Sequence, residues 1–320
     1  MGTRHGTSVQ GGILDGKDKS ASALARLRNQ SIQDRVNYQI CLQLFVQEEF
    51  LRRLSRSAYI DKMILKGGMF IYTLTSFKSR PTRDIDFLVK SLSNEPEIIC
   101  TIMQEICNIP TENDFITIEV IGTERITLEK KYPGVKTKLL GKINNVRIPF
   151  SIDIGIDDVI VPEPVKRKIT TRLEGFEMPE IYTYSLESTI AEKVDAILLR
   201  METTSRMKDF YDIYYLSGIF NFDGDVLRQA IMETMNHREH ILESDIFDRI
   251  RNFPKNQFLL TQWMAFPPAK EMNLSIEDMI ERIKKFIFPV LHSIQDDKSF
   301  AEYWSCAGLN WIVPESNILE

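Results

Sequence analysis

Two short stretches of the 320-residue sequence carry residues that could do chemistry together. The first is Leu65-Lys66-Gly67-Gly68; the second, after a short apolar run, is Arg80-Pro81-Thr82-Arg83-Asp84-Ile85-Asp86-Phe87. Paired glycines let backbone approach a ligand closely and adopt φ > 0, and a helix opening there aims unpaired N–H groups at an anion. Asp84 and Asp86 lie two apart, so on an extended segment their side chains leave the same face, while Ile85 and Phe87 turn to the core. Carboxylates held so close repel, and a divalent cation relieves the repulsion. Magnesium suits them, since it is commonly shared between carboxylates and substrate phosphates. A phosphate-cradling turn beside such a pair is what metal-assisted transfer from a nucleoside triphosphate requires. In the two-ion form of that chemistry the ions stand about 3.5–4 Å apart. Lys66 and Arg83 would add positive charge near the triphosphate or lie exposed.

A third carboxylate is needed from a neighbouring strand, and Asp153 can supply it. Residues 146–155 alternate strictly: Val146, Ile148, Phe150, Ile152 and Ile154 on one face, Arg147, Pro149, Ser151 and Asp153 on the other. Two aspartates flanking one residue also cap strands or occupy solvated turns. The glycine turn before them and Asp153 after them favour the metal reading, with Asp84, Asp86 and Asp153 as ligands. A second constellation falls on two expected helices. Leu186, Ile190, Val194, Ile197 and Met201 form an apolar stripe with Lys193 at its edge and Arg200 one heptad on. Lys193 either snorkels outward or serves a site. The next helix holds Lys208-Asp209-Phe210-Tyr211-Asp212, whose charges share a face at spacings of three and four, as in an ordinary intrahelical ion pair.

The elements that must hold these residues read as follows. One amphipathic helix is expected over residues 31–56, a buried strand over 63–65, a helix over 69–77, a strand over 84–89 and a helix over 95–106. Strands are expected over 114–121 and 126–128. Beyond residue 185 the sequence turns almost wholly helical, including a helix over 276–294 with a Ser275/Asp278 capping box and a kink at Pro289. The length suggests two domains: a tail over 1–20, a core over 21–175 with an N-terminal helix, and a helical domain over 176–320 that contributes to the active site. The tail is rich in Gly, Ser, Thr and charge and lacks the apolar core of a signal peptide.

A formal net charge of −5 excludes a generally basic nucleic-acid coat. Between Glu124 and Arg147, however, Arg125, Lys130, Lys131, Lys136, Lys138, Lys142 and Arg147 face only Glu124 and Glu129. That segment is either a solvated hairpin or a surface that steers an acceptor. Cys41, Cys100, Cys107 and Cys306 show no CxxC spacing and fit small core residues in a reduced, cytoplasmic setting. His237 and His240 lack partners for zinc. No apolar run is long enough to span a bilayer.

LKGG, RPTRDIDF, a lone aspartate on an apolar strand, SLESTIAEKVDAILLR and MKDFYDIYYL together resemble the AbiEii/AbiGii type of nucleotidyltransferase toxin, over about residues 44–216. The resemblance implies an α+β, polymerase-β-like nucleotidyltransferase fold with a helical C-terminal region. It implies that Gly67 and Gly68 face the phosphates, that Asp84 and Asp86 hold Mg²⁺, and that Asp153 is the third acid. Lys193 would contact the nucleotide phosphates, and Asp209 or Asp212 would complete the site with Lys208 beside them. An NTP would be the substrate, a tRNA 3′ end the acceptor, and an antitoxin or a DNA-binding protein of the same operon the partner. Transfer to a small-molecule or protein hydroxyl, or NTP binding without transfer, are the other readings. Gly-Gly stands where the wider superfamily often has Gly-Ser, so the triphosphate contact must rest on backbone N–H groups.

Overall fold

A computed structural model describes residues 11–126, 134–156 and 158–313. The chain divides into two compact units, the first running to residue 157 and resuming over Val165–Thr183, the second formed by Asp158–Pro164 and everything after Thr183.

In the first unit, helices α1 (Gly11–Gln33) and α2 (Tyr38–Ser55) precede strand β1 (Met63–Lys66), helix α3 (Gly67–Leu74), strand β2 (Ile85–Val89) and helix α4 (Pro96–Cys107). Strands β3 (Ile116–Arg125), β4 (Val135–Ile143), β5 (Val146–Ile156), β6 (Val165–Lys168) and β7 (Glu180–Thr183) follow. They build one mixed seven-stranded sheet in the order β3-β4-β5-β2-β1-β7-β6. This is the expected α+β architecture of a mixed sheet flanked by helices. The period-2 pattern divides the sheet into two faces. Ile148, Phe150, Ile152 and Ile154 of β5 are buried, and α2 lies on that side, with Phe50 6.2 Å from Phe87 between ring centroids. Packing is tight enough at Gly141 that a Cβ there would lie 2.3 Å from Val46 Cγ1. The opposite face carries Asp86, Lys136, Lys138, Ser151 and Asp153.

The expected single helix over 31–56 is two helices. Arg35 has φ +54, and Asn37 caps α2 by accepting from the Gln39 N–H at 2.8 Å. The left-handed turn at Arg35, where the Val36 N–H bonds back to Ser31 O at 3.0 Å, closes α1, and apolar spacing alone does not register it. Residues 11–20, read as part of a tail, are the first turns of α1. The helix expected over 69–77 ends at Leu74, before Ser76 and Phe77 at φ +50 and +63. Residues 127 and 128 of an expected strand, and Glu129, Lys130 and Lys131, lie outside the described residues.

A buried ionic network fastens α2. Arg53 donates to Ile116 O at 2.7 Å, Arg52 to Glu177 O at 2.7 Å, and Glu48 accepts from the Arg172 N–H at 2.9 Å. Glu48 is fully enclosed, and that burial, only partly opposed by Arg52 and Arg172, pushes its carboxyl up to about 7. A raised folded-state value stabilises the fold below pH ~4.5 and is lost as pH rises through about 7. Glu48→Gln keeps the acceptor for Arg172 and removes the titration. Relative to wild type, the variant is therefore expected to gain up to about 3 kcal/mol between pH 5 and pH 8 in urea unfolding.

The second unit contains α5 (Leu186–Arg200), α6 (Met207–Ile219), β8 (Phe222–Asp223), α7 (Gly224–His237), α8 (Ile246–Asn252), α9 (Gln257–Ala265), α10 (Pro267–Glu271), α11 (Ile276–Gln295), β9 (Tyr303–Ser305) and β10 (Asn310–Ile312). The Ser275/Asp278 cap forms, Ser275 Oγ accepting from Asp278 N at 3.0 Å, and α11 runs through Pro289 as one helix. The small sheet β10-β9-β8 is an addition to a unit expected to be almost wholly helical; its strands are too short to show periodicity. No helix among the described residues is long and apolar enough to cross a membrane.

Candidate active site

Strand β2 lies between β1, antiparallel to it, and β5, parallel to it. Registers set the first cluster: Asp86 is opposite Lys66 on one side and Asp153 on the other. All three occupy the polar face. Asp84 sits exposed just before β2, where Ser151 Oγ donates to its Oδ1 at 3.2 Å. The loop carrying Arg83 and Asp84 is anchored by residues the sequence reading did not single out: the amides of Gln43 and Gln47 both donate to Arg83 O, the latter at 2.7 Å. The Arg83 side chain is exposed.

Gly67 opens α3 at φ +68, with Lys66 at the N-cap and no side chain capping the helix. A Cβ at Gly67 would fall 2.2 Å from Asp86 Oδ2, and one at Gly68 would fall 2.8 Å from Thr82 Oγ1. The Asp86 carboxylate therefore lies over the positive end of α3, a favourable place for negative charge that only glycine leaves open. Gly67→Ala meets both a left-handed backbone and that carboxylate. It is expected to lower thermal stability by about 1–3 kcal/mol and to cut NTP-dependent labelling at least about 100-fold, measured on the same folded preparation.

Lys136 of β4 faces Asp153 across the β4–β5 ladder, its Nζ 3.1 Å from Asp153 Oδ1. Burial would lower this ammonium's pKa, but the bond to Asp153 and the fields of Asp153, Asp84 and Asp86 hold it above the usual lysine value. In sequence Lys136 was one cation among several in the basic segment; the hairpin register is what distinguishes it. Among the described residues, three other cations of that segment are neutralised by acids. Lys138 pairs with Glu124 at 2.9 Å, Lys142 with Glu119 at 2.6 Å and Arg125 with Glu95 at 2.5 Å. A groove of about 520 Å³ opens beside Asp84, lined by Gln43, Arg83, Lys138, Arg147 and Phe150 among others. A second hollow, of about 460 Å³, is lined by Arg56, Lys166, Lys168, Glu177 and Glu180, where Arg56 pairs with Glu177 and Lys166 with Glu180.

The second cluster belongs to the helical unit. Ser185 caps α5, accepting from Ser188 N at 3.0 Å. Lys193 does not snorkel: it is 8% exposed, and its Nζ lies 2.6 Å from Asp212 Oδ2 and 3.3 Å from Asp209 Oδ1. Lys193 thus meets both aspartates of α6 from the neighbouring helix α5. Both aspartates are buried; Arg206 Nε donates to Asp209 Oδ2 at 2.5 Å, and Lys208 is exposed. Burial raises the Asp209 pKa, but Lys193, Arg206 and Lys208 together hold it below the ordinary carboxylate range. His240 Nδ1 meets Asp195 at 2.5 Å, within an ion-pair network that also holds Arg238.

Among the described residues, no three of His, Cys, Asp and Glu close on a point as a ready-made metal cage. The donor set of Asp84, Asp86 and Asp153 nevertheless fits Mg²⁺, which takes one or two carboxylates and completes its shell from water and substrate phosphate.

The family described as "Nucleotidyl transferase AbiEii toxin, Type IV TA system" matches residues 49–304. Among solved structures the chain is similar to MenT4, a nucleotidyltransferase toxin of Mycobacterium tuberculosis, at 12% identity and a TM-score of 0.50, covering 86% of this chain and 99% of that one. It is also similar to JHP933 from Helicobacter pylori, at 15% identity and a TM-score of 0.44, covering 81% and 98%. Curated proteins give no match. The chain belongs to the AbiEii nucleotidyltransferase toxin family of type IV toxin–antitoxin systems.

Proposed function

We propose that the protein is a Mg²⁺-dependent toxin, working in the cytoplasm, that transfers a nucleoside monophosphate from an NTP to the 3′ end of tRNA. The observation that supports this reading most is the register of Asp86 with Asp153 on neighbouring strands, with Asp86 resting over the glycine-opened end of α3.

The acceptor oxygen bonds to the α-phosphorus, the bond to the pyrophosphate oxygen breaks, and pyrophosphate leaves. Asp84, Asp86 and Asp153 would hold two Mg²⁺ ions, which would supply charge neutralisation at the phosphates when bound. Asp153 takes the acceptor's proton. Gly67 and Gly68 offer N–H groups to the phosphates, with Lys66 and Arg83 as nearby cations. Lys193 offsets charge building on the phosphates. Asp212 and Asp209, with Arg206 and Lys208 beside them, fix the position of Lys193. The groove beside Asp84, with Arg83, Lys138 and Arg147 on its walls, receives the acceptor strand. An antitoxin, or a DNA-binding partner from the same operon, restrains the activity.

The test is incubation of purified protein with each labelled NTP and total tRNA. Label on RNA, lost in Asp84→Ala, supports the reading. Label on a small molecule or protein moves the acceptor to that class. NTP-dependent stabilisation without pyrophosphate release leaves a binding module and ends the proposal.

A further inference from the structure

We propose that Lys136 is a built-in counter-ion of the carboxylate cluster, which a divalent cation must displace, so that this lysine sets the threshold for metal binding. The inference rests on the metal-site reading of Asp84, Asp86 and Asp153.

Register gives Lys136 a choice of two carboxylates. Across β3–β4 its partner is Glu124, and across β4–β5 it is Asp153. Glu124 instead takes Lys138, two residues on, and Lys142 takes Glu119. Lys136 is thus the hairpin cation that turns toward the acidic cluster while its neighbours turn to β3. There it compensates one ammonium's worth of charge against three carboxylates. A divalent ion brings twice the charge and prefers oxygen ligands, so it competes for the oxygen that Lys136 Nζ holds.

The exchange is feasible because of where the lysine lies. Its side chain is 31% exposed and Asp153 is 28% exposed, so a flexible four-carbon stem can swing into water while the arriving cation takes over the charge on the buried Asp153 Oδ1. Lys193 offers the contrast. With two buried aspartates around it, it cannot leave without stranding them, so it is a fixed part of the fold. Of Lys136 and Lys193, one is built to be replaced and the other to stay. Once displaced, Lys136 remains on the polar sheet face beside Lys138.

The test uses the full chain and Mn²⁺ alone, without nucleotide, read by titration calorimetry and by the EPR signal of free Mn²⁺. Lys136→Met is expected to bind Mn²⁺ about tenfold more tightly than wild type, and Lys136→Arg no more tightly. In chelator, Lys136→Met should melt below wild type and regain the difference with Mn²⁺. A lysine that only braces the hairpin would leave Mn²⁺ affinity unchanged or lower it, and that result in a folded variant overturns the proposal. The wild-type protein gives a second readout that needs no variant. After reductive ¹³C-methylation, the Lys136 resonance should move on titration with Mg²⁺ and stay fixed in Asp84→Ala; a resonance indifferent to Mg²⁺ also overturns it. Wild type binding Mn²⁺ no better than Asp84→Ala would sink the metal site itself, a failure distinct from loss of the lysine's role.

Discussion

Asp86→Asn protein should fold and be inert. The change preserves the volume and shape of a side chain that lies over Gly67, and the relief of repulsion from Asp84 and Asp153 offsets the charge lost from the positive end of α3, so little net change in thermal stability is expected. Labelling of acceptor from NTP should nevertheless fall by about 10³-fold or more, because the ionised oxygens at that position are the ones asked to hold Mg²⁺. Saturating Mg²⁺ should not restore it. A variant that transfers at near the wild-type rate would remove Asp86 from the chemistry and return its placement to mere helix capping.

Lys193→Met should be costly in a different way. The side chain stands between Asp212 and Asp209, both 1% exposed, and its removal leaves Asp212 without that ammonium and Asp209 with Arg206. Breaking such a buried pair by deleting one partner costs about 3–5 kcal/mol, enough to lower the melting temperature by roughly 10 °C. Because Lys193, Arg206 and Lys208 hold Asp209 below its usual range despite its burial, the loss should be greatest near neutral pH and shrink as pH falls below about 3.8 and acid protonates this carboxylate. Denaturant midpoints at pH ~3 and pH ~7.5 read this directly. Adding Asp212→Asn to Lys193→Met should recover part of the lost stability but none of the lost transfer. A Lys193→Met midpoint matching wild type at both pH values would contradict the buried pairing.

Much of this site was legible because its parts are local. Paired glycines before a helix, alternating aspartates and a strictly alternating strand each announce themselves within ten residues, and β2 and β5 lie where the pattern puts them. Register is the non-local part. Nothing in residues 134–143 marks β4 as the partner of β5 or singles out Lys136 from Lys138, since two alternating cations look alike until strand pairing gives each a neighbour. The same limit explains Lys193. Spacing placed it at the edge of its helix, but whether an edge lysine faces water or another helix depends on what packs there, and α6 supplies two acids. Gln43 and Gln47, seen only as polar residues of an amphipathic helix, became visible as anchors of the Arg83 loop once α2 lay on the sheet. Breaks set by a left-handed turn, as at Arg35, escape any reading based on apolar period.

The sheet's last two strands also decide how the protein behaves among its own copies. β6, with Lys166, Arg167 and Lys168 in sequence, forms one outer margin, and the opposite margin, β3, is irregular between Val120 and Gly122. A row of cations and a bulge are both poor templates for strand addition, so neither margin invites a neighbouring chain to extend the sheet. Inside β6 and β7 lies β1, Met-Ile-Leu-Lys, whose first three residues are buried. A fragment ending at residue 157 would strip away that cover and present β1 as a bare apolar edge. Residues 165–183 are therefore the guard against aggregation for everything before them, and shortened forms of this protein should keep them.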